Sequence, residues 1–135
     1  MSPRDIATIQ LESNKKIINA SIKMMMIDGN IDNREMEKIA EIYFYLFNEH
    51  ISLSDVKELI FEALREDDYS CEISEVANSI SNSIEFKKER SLATEALAEV
   101  MLSDGEIHAL EKQLIYMITD LWGTTDILED ILSDY

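Results

Sequence analysis

Asp28-Gly29-x-Ile31-x-x-x-Glu35 and Asp104-Gly105-x-Ile107-x-x-x-Glu111 repeat one pattern at a constant separation of 76 residues. Carboxylates gathered from two such segments bind a cation, share protons or repel one another. Asp28, Glu35, Asp104 and Glu111 are therefore the candidate metal-ligating set, with a divalent cation as the implied ligand and Asp32, Glu106 and His108 nearby. The site would be a shared one. It requires both halves to fold alike and to meet across a pseudo-two-fold axis.

A complete EF-hand loop is excluded at either copy. That loop needs oxygen ligands four and two residues before this Asp, and those places hold Met24 and Met26 in one copy, Val100 and Leu102 in the other. Turn chemistry explains part of the pattern without any ligand. Glycine supplies the left-handed conformation that closes a helix, the Asp can accept from the backbone two residues on, and the Ile is expected to plug the corner between two helices. Asp32 is placed to cap the next helix in a reciprocal box with Glu35, whereas His108 at the matching position is a weaker cap. One feature is left over. Asp28 and Asp104 fall at helix C-termini, where the macrodipole disfavours a carboxylate by roughly 0.3 to 1 kcal/mol.

The elements that must hold these groups are helices. Ser2, Pro3 and Asp5 form a start signal for a first helix running to about Asp28, with a bend or break expected near Ser13 and Asn14. Its stretch from Ile17 to Met26 is apolar on most sides, so Met24, Met25 and Met26 read as core filling. A second helix carries Met36, Ile39, Ala40, Tyr43, Phe44 and Phe47 on one stripe; a third opens at Ser52 with Asp55 and continues through Val56, Leu59, Ile60, Ala63 and Leu64. After a polar connection over 65–70, a fourth shows Ile73, Val76, Ala77 and Ile80 and weakens in the serine and asparagine cluster at 79–83. Leu92, Ala96, Leu97, Val100 and Met101 mark a fifth that Gly105 ends, and Leu110, Leu114, Ile118 and Leu121 mark a sixth that Gly123 closes. Thr124 or Thr125 then caps a short seventh.

This reading gives an all-α fold of about seven helices, a single domain over 1–135 with internally duplicated three-helix halves, the first over 3–66 and the second over 71–134. Beyond the acidic turns the halves realign if the first has a connection five residues longer, which lays Ser54, Asp55 and Val56 over Thr125, Asp126 and Ile127. Composition agrees, since three glycines and one proline leave little turn chemistry for a many-stranded protein.

Charge and cysteine content narrow the function. A net charge of -16 argues against nucleic acid as a partner and favours cations or basic proteins. The acid is concentrated downstream: residues 28–135 hold eight basic and twenty-six acidic side chains, a net of -18. Cys71 stands alone, so no internal disulfide is available, and the start of the chain lacks the apolar run of a signal peptide. A cytoplasmic protein without a transmembrane segment is the expectation. Catalysis is not expected either, because two histidines and one cysteine sit in no nucleophile-base motif and no Glu-x-x-His, His-Glu-x-x-His or phosphate-cradling loop is present.

With both motifs placed, the chain resembles the TerB-like tellurite-resistance family. MMMIDGNIDNREMEKIAEIY and EVMLSDGEIHALEKQLIYMITDLWG carry the likeness: an apolar helix, Asp-Gly, a hydrophobic residue, then Glu inside the next helix. Ile27 and Ser103 stand where the family usually has a small residue, and His108 replaces a capping hydroxyl or carboxylate. The resemblance implies a non-enzymatic cytoplasmic protein of metal and chemical stress responses that binds metal or docks to membrane-associated protein partners, and it points to Asp28, Glu35, Asp104 and Glu111. An acidic helical adaptor that docks a basic or membrane-associated protein, with no metal site, is the alternative; an enzyme centred on His108 is the third.

Overall fold

The fold is that of a computed structural model, which describes residues 2–134 apart from 28, 30 and 66–71, and only the backbone of residues 3–7 and 9. Asp28, Cys71 and most of the connection after Arg65 thus lie outside the described residues. Among those described, seven helices and no strand are found: α1 (Pro3–Met26), α2 (Asn33–Phe47), α3 (Leu53–Leu64), α4 (Ile73–Ser83), α5 (Lys87–Leu102), α6 (Ala109–Trp122) and α7 (Thr125–Ser133).

The break expected near Ser13 and Asn14 does not occur. α1 runs through both, and both are buried. Asn14 is satisfied there rather than disruptive, accepting from Gln10 Nε2 at 3.0 Å and donating through Nδ2 to the Leu46 carbonyl at 3.0 Å, which ties α1 to the end of α2. An interruption is found instead further along the chain: α4 ends at Ser83 and α5 starts after Phe86, with the Arg90 Nε–H donating to the Ile84 carbonyl at 2.7 Å.

Packing follows the apolar stripes. α1 lies along α5 and α4 along α6, α2 touches α1, α3 and α5, and α7 closes on α5 and α6. Ile17, Ile22, Met24 and Met25 of α1, Leu97 and Met101 of α5, and Leu114, Ile115 and Ile118 of α6 are essentially inaccessible. Each such side chain contributes about 1.5 to 3 kcal/mol by leaving water. Met24, Met25 and Met26 are core, as expected.

Several stripe positions differ from expectation. Phe44, Leu64, Leu110 and Leu121 are exposed, while Ile42 and Trp122 are buried in their place. In α6 the buried face is rotated so that Glu111, Leu114, Ile115, Ile118, Thr119 and Trp122 point inward. Ser52 and Asp55 form a capping box on α3. Thr124 occupies the N-cap of α7, but its hydroxyl lies 2.8 Å from Thr94 Oγ1 on α5 instead of capping the helix. Ser52 and Thr124, both N-caps, and Val56 and Leu128, both buried four residues later, match in register; the expected pairing of Ser54 with Thr125 does not.

Candidate functional site

Each acidic turn is closed by its glycine. Gly29, at φ 73°, donates to the Met26 carbonyl at 3.0 Å, and Gly105, at φ 81°, donates to the Leu102 carbonyl at 3.2 Å. A Cβ at either position would meet nothing within 4 Å, so backbone conformation and not space requires glycine there.

Asp104 organises the second turn. Its Oδ1 accepts from the Glu106 N–H at 3.0 Å, the backbone bond two residues on, and its Oδ2 lies 2.6 Å from His108 Nε2. His108 occupies the N-cap of α6 but makes no side-chain cap bond, because its ring is turned back to Asp104. Burial pushes the Asp104 carboxyl up; the His108 ring, the Glu106 N–H and the charge of Arg34 outweigh it and hold the group below its ordinary value of 3.8. In the first turn the Asp32 side chain accepts from the Arg34 N–H at 2.7 Å, not from the Glu35 N–H that a reciprocal box would use. That bond is the chief reason the Asp32 carboxyl also lies below its ordinary value.

The two turns lie within electrostatic reach. Asp104 acts on Asp32 across the gap, and Arg34 is held charged first by Asp32 and then by Asp104 and Glu106. Ile31 and Ile107 do not plug the corners as expected. Each is 43% exposed at the matched position.

Glu35 and Glu111 are the unusual pair. Glutamate is almost never fully buried without compensation, yet these are 2% and 0% exposed. Each lies in the first turn of its helix, with the core residues Ile39 and Ile115 one turn further on. Counting i to i+4 from those isoleucines would have revealed the burial in the sequence; the capping-box spacing hid it. Asp28, the fourth candidate, lies outside the described residues. Among the described residues no group of three or more His, Cys, Asp or Glu side chains is placed to hold a metal ion.

The model of the family described as tellurite resistance protein TerB matches residues 14–127. The chain belongs to the TerB family. Both acidic motifs fall inside the matched span, as do α2 to α6 in full. No curated protein and no solved structure matches this TerB chain. Among its described residues, no helix is long and apolar enough to cross a membrane. The departures from the TerB pattern have structural counterparts: Ile27 is buried at the end of α1, and His108 exchanges a cap bond for the bond to Asp104.

Proposed function

We propose that this TerB-family protein acts by binding and not by catalysis, as a cytoplasmic stress-response protein of the tellurite-resistance type. Its paired turns take a divalent cation through Asp28, Glu35, Asp104 and Glu111. The observation that supports this reading is the burial of Glu35 and Glu111 at the same place in both motifs. A carboxylate taken out of water must be compensated by donors, by a proton or by a cation, and helix capping gives no reason to bury either one.

The donor set suits a hard cation. Carboxylate oxygens, with one imidazole nearby, favour Ca²⁺, Mg²⁺ or Mn²⁺ over the thiolate-preferring metals. Cross-turn electrostatics add support, because the charge of Asp104 already reaches the first turn and a cation between the turns would relieve its repulsion with Asp32.

Calorimetric titration of the four ions Ca²⁺, Mg²⁺, Mn²⁺ and Zn²⁺ tests the reading, with wild type compared against Glu35→Gln with Glu111→Gln and against Asp28→Asn with Asp104→Asn. Binding by wild type tighter than ~1 mM, weakened at least tenfold in both double variants, is expected. No binding at that level by the wild type discards the site.

A further inference from the structure

We propose that the groove between α2 and α5 docks a basic amphipathic helix of a partner protein. The proposal stands apart from the cation reading, since none of the residues involved belongs to the acidic turns. The groove encloses about 380 Å³. Ile42 and Leu46 of α2 and Leu92 and Ala96 of α5 form its apolar floor, the kind of surface that takes side chains spaced at i, i+3, i+4 and i+7 on an incoming helix.

Charge selects the occupant. Lys38 Nζ stands 2.6 Å from Glu41 Oε2 on the α2 rim, so that pair cancels. Glu95 and Glu99 on the α5 rim are both exposed and one turn apart. Like charges at that spacing repel within the helix, and a row of lysines or arginines on a partner relieves the repulsion. The chain's own charge of -16 disfavours a second copy in the same place. Tyr45 projects from the rim with 75% of its surface exposed, an amphipathic aromatic of the type that anchors protein interfaces. The larger groove between α1, α2 and α3, about 590 Å³, makes no such selection: Lys15 and Lys16 face Glu49 and Glu62 across it.

The test uses the full chain, labelled for amide NMR, and a synthetic lysine-rich amphipathic peptide of about 18 residues, with a scrambled peptide of equal composition as control. Shift changes confined to the α2/α5 groove are expected, with affinity falling at least tenfold for the scrambled peptide and for Glu95→Gln with Glu99→Gln. Tyr45→Ala should weaken binding to a similar degree while leaving the amide spectrum elsewhere unchanged. Changes spread over the whole acidic surface, changes centred on the α1/α3 groove, or an affinity indifferent to the Glu95 and Glu99 substitutions would each overturn the proposal. So would concentration-dependent self-association that perturbs the same groove in the absence of peptide.

Discussion

His108 Nε2 lies 2.6 Å from Asp104 Oδ2, across an Asp-Gly corner that places the ring four residues beyond the carboxylate. The bond closes the second turn from both sides, because the other carboxylate oxygen holds the Glu106 N–H. It also accounts for a carboxylate at a helix C-terminus: the opposing macrodipole is offset by a neighbouring imidazole and by Arg34 from the other turn.

Acid should weaken this corner. The folded-state carboxyl of Asp104 lies below the ordinary 3.8, so the stability it contributes is present above that value and is lost as pH falls through the folded one. Asp104→Asn is expected to cost on the order of 1 kcal/mol near neutral pH, and the gap from wild type should close as pH falls below the folded-state value of the Asp104 carboxyl. Urea unfolding across that range measures it; a gap that does not change with pH assigns the cost to something other than charge.

Conformation alone requires Gly105. An alanine there has room but must adopt φ 81°, so Gly105→Ala should destabilise by about 1 to 2 kcal/mol, and Gly105→Asn by clearly less. Equal losses for the two variants would point to a cause other than the left-handed backbone.

Thr94 donates its hydroxyl to the Arg90 carbonyl at 2.8 Å, which leaves its oxygen to accept from Thr124. Thr94→Val removes that acceptor from a buried hydroxyl and should cost about 1 to 3 kcal/mol. The double variant with Thr124→Val is expected to cost less than the sum of the single ones, because no hydroxyl is then stranded. Additive losses in a double-mutant cycle would contradict the coupling.

Cation binding has a thermal signature separate from calorimetry. An ion that binds only the folded state at a hundred times its dissociation constant adds about 2.7 kcal/mol, which should raise the wild-type melting temperature by several degrees. Glu35→Gln with Glu111→Gln keeps the buried volume, so it should retain the fold and lose that response. A response of equal size in the variant removes the two glutamates from the site.

The spacing of apolar residues was enough to establish the class and order of the helices, because burial of one face follows the helical period wherever the chain is long enough to show it. Gly29 and Gly105 were legible for a similar reason: closing a helix with a left-handed residue is a local demand. The TerB resemblance rested on the same local features. Side-chain direction at the edges of a stripe was not local. Phe44, Leu110 and Leu121 fit the period, but only the neighbouring helices decide which flank of a stripe is covered. Asn14 looked like a breaker until the end of α2 supplied a carbonyl for it. The same holds at the candidate site, where the sequence marked Glu35, Asp104 and Glu111 as matched acids and read Glu35 as a cap. The packed fold placed both glutamates inside, left Ile31 and Ile107 outside, and brought Asp104 within reach of Asp32 and Arg34. A carboxylate's surroundings depend on residues distant in the chain, so its burial and partners were decided by the tertiary structure, while the turn that carries it was decided by its neighbours in sequence.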